Sequence, residues 1–189
     1  MSNHIGVIAE DDSDVEVVDE FIKKLAPNKK YSIKSFVGHG HGKIQGKCFQ
    51  WASVLKTKGC STLIMLHDLD DKIFLELDAQ LHAALKQCAI PKHTVIIPIR
   101  EIEAWLLSDS LAIQRAMNLS NKVAPIANPQ SVTDPKKKLG EVIYLRSGRT
   151  KRYVNSVHNR KIAAELDLTN VRRCASFLPL EKFILQNIK

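Results

Sequence analysis

Four short runs, HIGVIAE (4–10), YSIKSFVG (31–38), STLIMLHD (61–68) and HTVIIPIR (93–100), set the rhythm of the chain. YSIKSFVG alternates apolar and polar positions, as a strand does. The other three are nearly continuous apolar stretches, the pattern of strands buried on both faces. Between the runs the apolar spacing changes to that of helices. Val15, Val18, Ile22 and Leu25 recur on one face, after Asp12 and Ser13 as caps. A second helix is expected over 44–57, and Phe74, Leu77, Leu81 and Leu85 mark the face of a third. The fourth run leads into EIEAWLLSD (101–109), which reads as a further helix. Alternating strands and helices of this kind predict an α/β fold, with a parallel sheet covered by helices.

The rhythm breaks after residue 117. NLSNKVAPIANPQSVTDP (118–135) carries three prolines and little periodicity, and reads as a loop or linker closing a core of residues 1–117. Asp134 is then placed as a cap and Pro135 as a first helical residue. Residues 136–189 are expected to form a mostly helical extension packed on that core. A chain of 189 residues suits one compact domain with at most a small appendage. No apolar run approaches the ~20 residues of a membrane helix. MSNHIGVIAEDD has no basic leader, and Cys48, Cys60, Cys88 and Cys174 lack any CxxC spacing. These features predict a cytoplasmic protein with reduced thiols.

Charge changes the picture of the extension. The formal net charge is +8, yet residues 1–133 balance 15 basic against 15 acidic side chains. Residues 134–173 hold 11 basic and four acidic side chains. The surplus lies in PKKK, RSGRTKR, NRK and VRR. A local excess of this kind is the footprint of a polyphosphate partner, nucleic acid above all; the alternative is a solvated basic face. Lys137, Arg149, Lys151, Arg152, Arg172 and Arg173, with Lys43 near the glycines of GHGHGK, are the candidate backbone contacts.

The acidic residues are placed as distinctively. LIMLHDLDD (63–71) runs an apolar strand straight into Asp68, Asp70 and Asp71. Glu10 ends the first run, with Asp11, Asp12 and Asp14 behind it, and Glu101 and Glu103 follow the fourth. In a parallel sheet all three sets reach the same edge, where ligand chemistry collects. Unpaired, such carboxylates repel and cost several kcal/mol. A hard divalent cation, Mg²⁺ or Mn²⁺, with oxygen ligands relieves that repulsion. If Glu101 and Glu103 both begin a helix they point about 200° apart, so only one can face the site.

A strand ending in glutamate, a following Ser-Asp, a helix and a later strand ending in Asp-x-Asp resembles the Toprim domain. This Rossmann-like domain is shared by topoisomerases, bacterial primases and the overcoming-lysogenisation-defect nucleases. Glu10, Ser13-Asp14 and Asp68 with Asp70 carry the resemblance over roughly residues 4–110. The family places glycine after its glutamate, where this chain has Asp11. IREIEAWLLSD, DPKKKL, VRRCASF and GHGHGK further resemble an uncharacterised Toprim-like family encoded beside ATPases in anti-phage defence loci. The resemblance implies a metal-dependent nuclease acting on DNA or RNA, tRNA included. Glu10, Asp68 and Asp70 would hold one Mg²⁺, and Glu103 with Asp14 a second. Lys136 or Lys138 would face the scissile phosphate. It also implies an ATPase partner, since the chain has no P-loop of its own. A homodimer is compatible with the sequence.

A second reading starts from GVIAEDDSD, which resembles the acidic opening of two-component receiver domains. Asp68 would then be the phosphorylated residue of a Mg²⁺-binding signalling module. That reading leaves Asp70 without a role, and HTVIIPIR ends in Arg100-Glu101 where a receiver places lysine. Three smaller features complete the inventory. His39 and His41 sit among glycines that either cradle phosphate or only supply a turn. His67 should point away from Asp68 as a structural residue. Tyr31, Tyr144 and Tyr153 stand in no nucleophile motif.

Overall fold

The computed structural model describes residues 3–38 and 43–188. The four runs form β1 (Asn3–Ala9), β2 (Tyr31–Val37), β3 (Cys60–Leu66) and β4 (Lys92–Ile96). They make one sheet in the order β2-β1-β3-β4 with every pair parallel. The fold is therefore the expected Rossmann-like α/β arrangement. β4 stops at Ile96, four residues short of the expected end. Pro98 has no N–H to give to a ladder, and Arg100 turns the chain at φ 65°. The stretches after β3 and β4 still run side by side. His67 N–H donates to Ile96 O, Leu69 N–H to Pro98 O and Asp70 N–H to Arg100 O at 2.9–3.1 Å.

Side-chain alternation divides the sheet between two cores. Ile8, Leu63, Met65 and Val95 pack beneath α2 (Lys43–Thr57) and α3 (Phe74–Leu85). Ile5, Val7, Ala9, Ile64 and Leu66 face the larger core. Over that face lie α1 (Asp12–Leu25), the single turn α4 (Glu103–Leu106) and α5 (Ser110–Ala116). The extension supplies α6 (Pro135–Arg146), α7 (Asn155–Glu165), the short α8 (Leu168–Val171) and α9 (Leu178–Asn187). Leu139 and Ile143 of α6, Ile162 of α7 and Ile184 of α9 share the core with β1. At its centre Phe21, Trp105 and Phe177 stack with ring centroids 4.7–5.9 Å apart. Burial of three aromatics joins the basic helices to the sheet.

Between residues 118 and 134 the one helical element is the short 3₁₀ turn Pro129–Ser131, and Pro135 already opens α6. His39 and His41 lie outside the described residues. Among the described residues no helix is long and apolar enough to cross a membrane.

Candidate active site

β1 sends the chain to β2 on one side, and the chain returns to β3 on the other. That reversal opens a crevice beyond the carboxyl ends of β1 and β3, the usual ligand position in open α/β sheets. Glu10 follows β1 directly, and Asp68 follows β3 by two residues. The crevice is a cleft of about 230 Å³. Glu10, Asp14, Asp68, Asp70, Glu103 and Lys136 all line it, so six sequence candidates converge. Asp11, Glu101 and Asn155 complete its wall.

Local structure explains each placement. Asp11, not Asp12 or Ser13, caps α1. Its carboxylate accepts the Ser13 N–H at 2.9 Å, while the Asp14 carboxylate accepts the Asp11 N–H at 3.0 Å. Asp11 is extended, with φ −133°, so the position does not need the glycine of the Toprim pattern. The same box holds Asp14 at the cleft with only 4% of its surface exposed.

Asp68 Oδ1 accepts the Ile102 N–H at 3.1 Å, which ties β3 to the start of α4. Asp70 sits at φ 51° and Arg100 at φ 65°, a left-handed region costly for side chains other than glycine. The two hold each other: Asp70 N–H donates to Arg100 O, and the guanidinium donates to Asp70 O at 3.3 Å. Arg100 also pairs with Asp71 outside the cleft. Lys72 Nζ lies 3.5 Å from Asp70 Oδ2. His67 lies just past the end of β3, is buried and touches the site. Its Nδ1 stands 2.8 Å from Glu10 Oε1 and 2.8 Å from Asp68 O.

Glu101 and Glu103 both face the cleft, contrary to the helical-spacing argument. α4 begins only at Glu103, so no helix angle separates the two. Glu101 Oε2 accepts the Lys136 N–H at 2.9 Å, anchoring α6 to the site. On α6 successive residues turn about 100°, so Lys136 enters the cleft and Lys138 lies on the opposite flank, away from it.

Three residues that the sequence did not single out for the site build its back wall. Asn159 of α7 is fully buried. Its Nδ2 donates to Glu103 Oε1 at 3.2 Å and to Ser13 Oγ at 3.4 Å, while its Oδ1 meets the Tyr153 hydroxyl. Tyr153 also donates to Glu103 Oε1 at 2.9 Å. Asn155 Nδ2 reaches Asp11 Oδ2 at 3.4 Å. Replacing Asn159 with leucine will leave the Glu103 carboxylate and the Ser13 hydroxyl short of a buried donor. It should cost roughly 1–3 kcal/mol in urea unfolding, and Tyr153→Phe, which removes one donor alone, should cost less. Equal stability of Asn159→Leu and wild type would show that the network carries no load.

The electrostatics follow from crowding and burial. Burial first, then Glu103, pushes the Asp14 carboxyl up to about 8. Burial, with Asp14, Glu103, Glu10 and Asp70 around it, raises Asp68 well above the usual carboxylate range. Burial raises Glu101 too, and burial beside Glu103 raises the Tyr153 phenol. The cleft is short of positive charge.

Among the described residues no three Asp, Glu, His or Cys side chains already stand as a metal-holding set. A cation held here would have to draw the acids inward. The donors fit a hard divalent ion in kind: carboxylate oxygens around an open cleft, without sulfur.

The nucleic-acid candidates separate into two groups. Lys43, Lys137, Arg149 and Arg152 are exposed, as are Arg172 and Arg173, while Lys151 is half-buried. The last three brace the fold. Lys151 Nζ donates to Met117 O at 2.6 Å and Asn118 O at 3.0 Å. Arg172 makes a forked pair with Glu181, and Arg173 donates to Ser108 O and the carbonyls of Ile126 and Ala127.

Fold and cleft together define an α/β protein with a carboxylate-lined site at the switch point of a parallel sheet. The chain belongs to the family described as Domain of unknown function (DUF4276), whose profile matches residues 9–184. Comparisons with curated proteins and with solved structures found no match.

Proposed function

We propose that this protein is a Mg²⁺-dependent nuclease of the Toprim kind, hydrolysing phosphodiester bonds in DNA or RNA. The observation that carries the reading is the convergence of acids from three strand ends, with one lysine, at the switch point of the sheet. Glu10, Asp68 and Asp70 would hold a first ion, and Glu103 with Asp14 a second; Mn²⁺ would serve as well. Bound metal supplies an activated water and stabilises the leaving oxygen in such a displacement. The chain's own residues do the positioning. Capping fixes Asp11 and Asp14, the paired left-handed turns fix Asp70, and Tyr153 with Asn159 orients Glu103.

Lys136 is the cation available to a phosphate in the cleft. Lys136→Ala should lower cleavage about a hundredfold with unchanged metal affinity. A metal affinity that falls together with the rate would move Lys136 from substrate contact to site structure. The defence role and the ATPase partner rest on the sequence resemblance. The deciding assay incubates purified protein, with and without the product of a neighbouring ATPase gene, with plasmid DNA and total tRNA in Mg²⁺ or Mn²⁺. Cleavage abolished by Asp68→Ala is the expected result. Absence of cleavage, with stable phosphorylation of Asp68 by acetyl phosphate, would replace this reading with the receiver. Asp70 and Glu103 favour the nuclease, since a receiver has no task for either.

A further inference from the structure

We propose that one flank of α6 extends the cleft into a track for a single polynucleotide strand, with Tyr144 as a platform for an unpaired base. The proposal rests on the nuclease reading and names its substrate class.

α6 buries Pro135, Leu139 and Ile143 against the core. Its other side borders a second cavity, of about 600 Å³, that shares Glu101, Lys136 and Asn155 with the acidic cleft. Lys136, Lys137 and Gly140 supply the helix's part of its lining. At 100° per residue, Lys137, Gly140 and Tyr144 fall within an arc of about 60°. Glu141 borders that arc on its solvent side. Gly140 leaves the path low on the side of the cleft, where a Cβ would meet nothing nearer than 3.9 Å, while Glu141 stands one turn from both Lys137 and Tyr144 on the other side. Tyr144 keeps 41% of its surface in water, a large ring without a packing partner on its outer side.

Beyond Tyr144 the chain turns through Gly148 and Arg149, at φ 67° and 66°. Arg149 N–H donates to Tyr144 O at 2.8 Å, which closes the end of α6 and leaves an exposed arginine just past it. The order along α6 is thus acids, Lys136, Lys137 and the aromatic ring, with Glu141 next to the last two and Arg149 after the helix. From Lys136 to Tyr144 the helix rises about 12 Å.

Cations along a backbone path and an aromatic face for a base are the two parts of single-strand recognition. A duplex keeps its base faces stacked on one another and offers none to Tyr144. The acids also lie deep, with Asp14 and Glu103 each 4% exposed, so the scissile phosphate must enter a recess. A flexible strand follows such a recess more readily than a stiff duplex.

Stacking and charge leave different signatures, and salt separates them. The test measures binding of Asp68→Asn in Mg²⁺ buffer to fluorescent oligo-dT, oligo-U and a duplex of equal length, at several salt concentrations. Added Tyr144→Ala should weaken single-strand binding about tenfold. It should leave both the salt slope and duplex binding unchanged, and Tyr144→Phe should bind like tyrosine. Lys137→Ala should instead flatten the slope, by about 0.7 for a single strand. No loss with Tyr144→Ala, or equal losses for strand and duplex, overturns the track. The nuclease reading fails separately: wild type that binds the strands but leaves them intact in Mg²⁺ loses the reaction and keeps the track.

Discussion

Asp68→Ala will lose more than about a hundredfold in cleavage, yet unfold at the same or a higher temperature in metal-free buffer. The two effects have one cause. Asp68 stands among Asp14, Glu103, Glu10 and Asp70, and its charge is disfavoured by burial and by each of them. Truncating it relieves repulsion and releases one hydrogen bond, from the Ile102 N–H. On the nuclease reading, catalysis would lose a metal ligand at the centre of the sheet. Calorimetry in chelator and a cleavage assay at limiting Mg²⁺ read the two effects independently. A variant that cleaves normally at limiting metal removes Asp68 from the site. One that is less stable without metal shows that the Ile102 bond outweighs the repulsion.

Stability without metal will fall as pH rises, the reverse of ordinary acid denaturation. Asp14 moves from an ordinary 3.8 to about 8 in the folded chain, through burial and Glu103. Between those values the folded protein keeps a proton that the unfolded chain has lost. The stabilisation is therefore complete below about pH 4, declines as pH rises toward 8, and levels off above it. Each pH unit of difference is worth about 1.4 kcal/mol, so the decline amounts to a few kcal/mol. Asp14→Asn, which cannot ionise, should flatten the profile across this window. Added Mg²⁺ should raise the melting temperature more at pH 8 than at pH 5, because at low pH protons already neutralise the cluster. Parallel profiles for wild type and Asp14→Asn would place the proton elsewhere.

The sheet was legible because three of its strands are continuous apolar runs and β2 alternates, and period alone separates them from Val15–Leu25 or Phe74–Leu85. The acids were legible for a related reason: a carboxylate at the end of a buried strand has few structural excuses. Asn155, Asn159 and Tyr153 had no such mark. An amide or a phenol in a polar stretch looks alike on a surface and at the back of an active site. Only the docking of α7 on α1 gives these residues their partners. Lys151, Arg172 and Arg173 show the converse, since a count of charges cannot tell a cation left to solvent from one engaged by the protein's own carbonyls or, for Arg172, by Glu181. Glu101 was set aside because α4 was expected to start two residues too early.

Asn159 and Ser13 meet across 146 positions of chain. Asn159 leaves the ribosome long after Glu10 and Asp14. Until α7 docks, Glu103 lacks the Asn159 donor and the cleft lacks its back wall. Long-range closures of this kind come late, after local helices and hairpins. On the nuclease reading, a chain whose sheet has formed but whose α7 has not yet docked would leave surrounding nucleic acid intact.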